Sequence, residues 1–254
     1  GGIRLMAIID KPSDYFNTAL WTGNGSTTNI TSLDFQPDFT WIKGRSDAIA
    51  HVVFDSVRGA GGNKELTPNE TYAEGGNSTI SYGFLSSFNS DGFTVRNGTS
   101  SPNQADYTNK NSSTYASWNW KAGGSASSNS NGSITSSISA SSNSGFSIVS
   151  YSGTSSNGTI GHGLDSAPKM VIVKALASGR DWMTYHKSVG ATKYLFLNAT
   201  DASASSSGIW NDTDPTSTVV HLGSSNSVNG NGINYIAYCF ADTSMSKMGS
   251  YTGN

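Results

Sequence analysis

The sequence predicts an all-β protein made of two tandem, related antiparallel β-sandwich domains that are jelly-roll-like. Three observations carry that expectation. Ala, Leu, Glu and Lys are too sparse for a helical protein, while 6 Trp, 11 Tyr and 10 Phe supply enough aromatic bulk for a core. Apolar residues come in short runs divided by Gly, Asn and Ser turns, the pattern of strands joined by tight loops. The landmarks of one half also return in the same order in the other, which is the mark of a duplication.

Trp21-Thr22-Gly23 recurs as Tyr151-Ser152-Gly153 and again as Tyr251-Thr252-Gly253. Pro37 to Lys43 answers to Pro168 to Lys174, with proline and lysine in register; each proline precedes an expected strand, where its missing N–H costs nothing. Asp55-Ser56-Val57-Arg58-Gly59-Ala60 answers to Lys187-Ser188-Val189-Gly190-Ala191, and Leu66 to Asn69 answers to Leu195 to Asn198. Each copy closes on an aromatic strand, Tyr115 to Trp120 against Tyr235 to Phe240. In that strand Ala116, Trp118 and Trp120 share one face, as do Ile236, Tyr238 and Phe240, so a buried side is expected there, with Trp118 and Tyr238 as equivalent buried residues. Ser90-Asp91-Gly92-Phe93 has the chemistry of a turn entering a strand.

The organisation expected is an N-terminal arm (1–15), a first sandwich (16–122), a flexible Ser/Gly/Asn-rich linker (123–144), a second sandwich (145–243) and a terminal strand (244–254) resembling the start of a third repeat. Ile134 and Ile138 add a short strand ahead of the second copy. The terminal strand is expected either to close the edge of the second domain or to pair with a neighbouring subunit.

Composition narrows the function. A net charge of −2 with no basic stripe speaks against nucleic-acid binding. The single cysteine, Cys239, rules out an internal disulfide and a cysteine zinc site. No run is long enough to span a membrane, so no membrane insertion is expected. Met6 reads as a natural start. A chain of extracellular composition, without signal or disulfides, fits assembly in a host cytoplasm and release by lysis.

No cofactor is expected, and no catalytic constellation is visible. Glycan hydrolysis needs a carboxylate pair across a cleft, whereas Asp34, Asp91, Asp106 and Asp201 lie in loop sequence. His51, His162, His186 and His221 lack metal spacing; His51 and His186, near matching places in the two copies, read as packing residues. Asn211-Asp212-Thr213-Asp214 offers calcium-type oxygens, though an Asx-turn before Pro215 accounts for it too. Gly59 to Lys64 lacks the phosphate-loop spacing and reads as an ordinary loop. Asn-x-Ser/Thr triplets such as Asn24, Asn69, Asn97 and Asn198 are glycosylation acceptors only if a host secretes the chain. Trp41, Trp118 and Trp120 read as core. Trp182 and Trp210 adjoin polar loops and are the candidates for an exposed glycan-stacking platform.

The strings Pro37 to Lys43, Phe54 to Gly59, Ser90 to Phe93 and Trp118 to Gly123 resemble a repeat family of virion proteins of tailed bacteriophages, common in marine and freshwater phages. Gly161 to Leu164, Val173-Lys174, Gly190 to Leu195 and Tyr235 to Phe240 extend the resemblance into the second copy. It implies a structural, non-enzymatic role as a tail fibre or surface decoration on the virion surface. The partners it implies are further copies of the chain, as a homotrimer or larger homomeric array, other virion proteins, and a host-surface glycan. The alternative is a stand-alone carbohydrate-binding module or bacterial adhesin.

Overall fold

Two aromatic strands at the centre of two sheets organise the molecule, whose computed structural model describes residues 11–100, 105–177 and 179–253. Most of the expected N-terminal arm, including Met6, lies outside the described residues; its described part forms a single 3-10 turn at Pro12–Asp14.

In the first half, β1 (Phe16–Thr22), β7 (Thr114–Trp120), β3 (Phe39–Gly44) and β4 (Val52–Asp55) form an antiparallel sheet in that spatial order. Facing it is a three-stranded sheet ordered β2 (Thr28–Ile30), β6 (Gly92–Arg96), β5 (Phe84–Asn89). Ile42, Phe54, Leu85, Phe93 and Tyr115 fill the space between them. The expected Asp91-Gly92 turn joins β5 to β6. Gly92 takes a positive φ, and the Asp91 carboxylate accepts from the backbone N–H groups of Ser32 and Asp34 at 3.1 and 2.8 Å. A helical turn, α1 (Thr79–Tyr82), precedes β5.

The second half has an eight-stranded antiparallel sheet. Its order is β15 (Ala204–Ser205), β14 (Lys193–Phe196), β13 (Met183–His186), β12 (Met170–Ala175), β17 (Asn234–Phe240), β10 (Phe146–Ser152), β9 (Ser136–Ser141), β8 (Ser127–Asn129). Against it lies the pair β11 (Gly158–Gly161) and β16 (Val219–Leu222), with α2 (Ser207–Trp210) beside β16. The order β10-β17-β12-β13 repeats β1-β7-β3-β4, and β11-β16 repeats β2-β6. Register agrees as well: Trp120 sits between Phe16 and Phe39 as Phe240 sits between Phe146 and Met170.

The inner layers match in their polar pins. Trp21 stacks on Tyr115 at 5.4 Å and Tyr151 on Tyr235 at 5.2 Å, both with planes 15° apart. The Tyr115 hydroxyl accepts from Lys110 N and donates to Asp106 O, as that of Tyr235 accepts from Gly230 N and donates to Asn226 O. Buried Asn109 and Asn229 each tie the turn after the opening strand with their side-chain amides. Gly23 and Gly153 pass so close to this pin that a Cβ would stand 2.1 Å from Lys110 O or 2.3 Å from Gly230 O.

Four expectations are corrected. Segment 123–144, taken for a flexible linker, carries β8 and β9, and β9 pairs with β10 along six residue pairs. Serine there behaves as a strand residue because Ser136 and Ser139 are buried beside Ile138. The described part of 244–254 forms no strand; it turns through Thr243 and Ser246 and leaves Tyr251 94% exposed. The turn match slips by one residue. Phe39 pairs with Asp55 where Met170 pairs with His186, so Asp55 corresponds to His186, and His51 corresponds to Trp182. Gly59 and Gly190 then both close the turn at positive φ. Finally, Trp118 and Tyr238 occupy equivalent strand positions but differ in burial, at 38% and 1% exposed. Trp41, Trp118 and Trp120 point away from the inner core, whose side of β7 is taken by Tyr115, Ser117 and Asn119.

Candidate functional site

The outer face of the second half's sheet is covered by the first half, and this seam has a core of its own. Phe39, Val53 and Leu66 meet Phe146, Ile148, Ile172, Trp182, Ile236, Tyr238 and Phe240. Edge-to-face contacts fill it, with Phe39 4.7 Å from Tyr238 and 5.7 Å from Phe146. Such aromatic pairs contribute beyond the area they bury.

A polar network threads the same seam. Asp55, fully buried at the end of β4, accepts from Arg58 Nε, from Arg58 N at 2.9 Å and, across the seam, from the Tyr238 hydroxyl at 2.7 Å. Arg58 continues to Glu74 Oε1 at 3.0 Å and Lys64 O at 2.6 Å. Burial and the Asp55 charge push the Tyr238 hydroxyl well above the usual phenol range, so it remains a donor. The other buried carboxylates are likewise engaged. Asp38 accepts from Ser56 Oγ, Ala122 N and Gly124 N; Glu65 accepts from Asn77 N, Thr79 N and Thr79 Oγ1.

Trp182 and Trp210, the expected glycan platform, are both buried at 1% exposure. Trp182 lies in the seam, its Nε1 donating to Thr67 O and Glu70 O of the first half, each at 3.1 Å. Trp210 packs edge-on against Tyr185 inside the second half. The first half covers Trp182, and the second half's own core takes Trp210. Lys174, on the outer face of β12, is buried next to Trp182 and donates to Arg180 O and, across the seam, to Thr71 O at 3.0 Å. Burial pushes its ammonium down to about 8.

The seam also holds an apolar cavity of about 530 Å³, within the size range of small-molecule pockets. Phe16, Trp41 and Trp120 form one wall, Met170, Ile172 and Phe240 the other, and Met245 to Met248 one lip. Beyond it the outer face of the first sheet is open, with Trp118 paired to half-buried Trp41 and Leu20 67% exposed.

The remaining candidates are tied to local structure. His51 Nδ1 accepts from Trp41 Nε1 at 2.9 Å, and burial, then the Lys43 charge, lowers its pKa. His162 Nδ1 accepts from Leu164 N, and burial lowers its pKa too. Asp214 accepts from Tyr185 and pairs with Lys187, while Asn211 and Asp212 take positive φ in the turn. Among the described residues no group of three or more His, Cys, Asp or Glu could hold a metal ion, and no helix is long and apolar enough to cross a membrane. Sequence reasoning missed the Asp55–Arg58–Tyr238 network. Its available signal was a charged pair at the end of the apolar strand Val52-Val53-Phe54, where the other half has neither charge.

A family model, described as a domain of unknown function (DUF7483), matches residues 11–254, and the chain belongs to that family. No curated protein and no solved structure matches the chain.

Proposed function

We propose that this member of the DUF7483 family is a non-enzymatic structural protein of a tailed-bacteriophage particle, a tail fibre or surface decoration. In this reading it is built from two tandem copies of one antiparallel β-sandwich domain. The observation that carries the proposal is the seam. A repeated strand order whose second outer face is buried under the first half is a stacking unit, and stacking units make rigid extended bodies. The polar chemistry supports the same role, since Asp38, Asp55 and Glu65 spend their oxygens on holding loops, Arg58 and the seam. The phage particle itself comes from the motif resemblance in Pro37 to Lys43 and Trp118 to Gly123.

Mass spectrometry of purified particles, with antibody labelling to place the chain, tests the proposal. Stoichiometric presence in washed particles is the expected result, and absence from them overturns it. A second reading, a carbohydrate-binding module or adhesin, is favoured by Trp118 beside Trp41 on an open face, a surface on which a sugar ring can stack. Binding of the isolated chain to a glycan array, lost in Trp118→Ala, is the result that would establish it.

A further inference from the structure

We infer that the open outer face of the first half is a self-docking surface, covered in an assembly by residues 199–203 of another molecule of this chain. The inference rests on the structural-protein reading and adds to it the contact by which copies join.

The chain already contains one example of the contact. In the second half the face carrying Ile172, Lys174, Trp182 and Tyr238 is closed by the first half: Phe39 and Asp55 lie against Tyr238, and segment 65–74 lies against Trp182 and Lys174. Three backbone carbonyls of that segment are used: Thr67 O and Glu70 O by Trp182 Nε1, and Thr71 O by Lys174 Nζ. Glu74 N adds a bond to Leu176 O at 2.9 Å. Strand register places Trp41, Lys43, His51 and Trp118 of the first half at the positions of Ile172, Lys174, Trp182 and Tyr238. Trp41 packs against the seam core, but among the described residues no hydrogen bond from the second half reaches Lys43, His51 or Trp118. Trp118 and Leu20 stand exposed, and the Lys43 ammonium turns back to its own loop at Gly44 O and Asp47 O.

The matching cover is present at the other end of the chain. Val53 bridges Leu66 as Thr184 pairs with Leu195, and His51 N donates to Asn69 Oδ1 as Trp182 N donates to Asn198 Oδ1, at 2.9 and 2.8 Å. Counting on from those matches, Thr200 corresponds to Thr71. Residues 199–203 are exposed, whereas the segment they correspond to bonds across the seam through Glu70 O, Thr71 O and Glu74 N. One molecule therefore carries an uncovered face in its first half and an unused covering segment in its second. Those two surfaces are different, so their contact is heterologous and propagates head to tail instead of closing a two-fold dimer.

Sedimentation velocity of the full chain from about 1 to 100 µM tests the inference, a range in which interfaces of modest affinity assemble. Three proteins are compared: wild type, a face variant (Leu20→Asp with Trp118→Asp) and a segment variant (Ala199→Asp with Ala202→Asp), each checked for an unchanged far-UV spectrum. Wild type should form a concentration-dependent series, and each variant alone should associate at least about tenfold more weakly, as loss of an aromatic anchor implies. Mixed, the two variants should form a dimer that stops at two chains, because each retains one intact surface. Wild type that stays monomeric at about 100 µM, variants that assemble like wild type, or a mixture that remains monomeric would each overturn the inference. Glycan binding through Trp118 without self-association would reassign the face. Detection of the chain in purified particles is a separate readout, so failure of this contact and failure of the particle assignment are told apart.

Discussion

Replacing Tyr238 by Phe removes one hydroxyl from the middle of the seam and little else. The ring keeps its edge-to-face contact with Phe39 at 4.7 Å, so packing is conserved. What goes is a 2.7 Å hydrogen bond to a fully buried carboxylate on the other half of the chain. Hydrogen bonds to charged groups contribute about 1.5–3 kcal/mol net. Asp55 keeps Arg58 Nε and the Arg58 backbone N–H, so its charge is not stranded, and the loss falls near the middle of that range, about 2 kcal/mol. In a chain of this size such a loss lowers Tm by about 4–8 °C. Calorimetry and urea unfolding monitored by tryptophan fluorescence are the assays. Asp55→Asn, which leaves buried Arg58 with Glu74 as its remaining carboxylate, should cost more, about 3 kcal/mol at the low end of broken buried pairs. The double variant should fall short of the sum by about 0.5–3 kcal/mol, because both changes break one bond. A Tyr238→Phe loss below about 0.5 kcal/mol would refute the claim that this bond joins the halves, since that is the size of an ordinary surface substitution.

Three other perturbations separate the roles of the buried groups. Trp182→Phe should destabilise the fold more than Trp210→Phe, because Trp182 Nε1 has two carbonyl partners and Trp210 Nε1 has none among the described residues; equal losses in urea unfolding would contradict that assignment. Gly23→Ala and Gly153→Ala should each cost at least about 1–3 kcal/mol by driving a Cβ onto a backbone carbonyl, and a neutral result at either position would mean that the pin can shift. Lys174 should make stability depend on pH. Its folded pKa lies below its unfolded value, so its contribution is present above pH 10.5 and is lost as pH falls through about 8. Wild-type stability measured against Lys174→Met should therefore rise between those two pH values, and a flat difference would show that the ammonium is solvated.

Much of the fold was legible because its signals are local. The turn at Asp91-Gly92, the prolines ahead of β3 and β12, and the repeated closing strand all arise from chemistry a few residues long. The faces were less legible. In β7, Tyr-Ala-Ser-Trp-Asn-Trp reads as tryptophans in and polar residues out, yet Ser117 and Asn119 are fully buried on the inner side. The Asn119 side-chain amide donates to Asn17 O and Ser117 Oγ, which offsets part of the desolvation cost, while Asn119 Oδ1 has no partner among the described residues. In β17 the unbroken run from Tyr235 to Phe240 is the signature of a strand buried on both sides, and both sides are buried. The misplacement of Trp182 and Trp210 has a different origin. Their neighbours in sequence are polar, but what covers Trp182 is the segment around Thr67 and Glu70, more than a hundred residues away, and no local pattern records that.

The two halves agree where each holds itself together and differ where they meet. Tyr115 and Tyr235, Asn109 and Asn229, Gly23 and Gly153 keep the same residue at the same place in the inner layers. At the seam the pairs diverge: Asp55 against His186, His51 against Trp182, Trp118 against Tyr238. Tyr238 and Trp182 are the second-half members buried under the first half. They bring donors that reach across to Asp55 and to the carbonyls of Thr67 and Glu70. Of the first-half members, Asp55 is itself buried in the seam and receives the Tyr238 hydroxyl, while Trp118 is the exposed one, on a face left open. A tryptophan on such a face is the costly choice for a surface that only ever meets water, because its ring gains nothing there. Trp118 and Leu20 are the exposed apolar side chains of that face, and the proposed self-contact is placed on them.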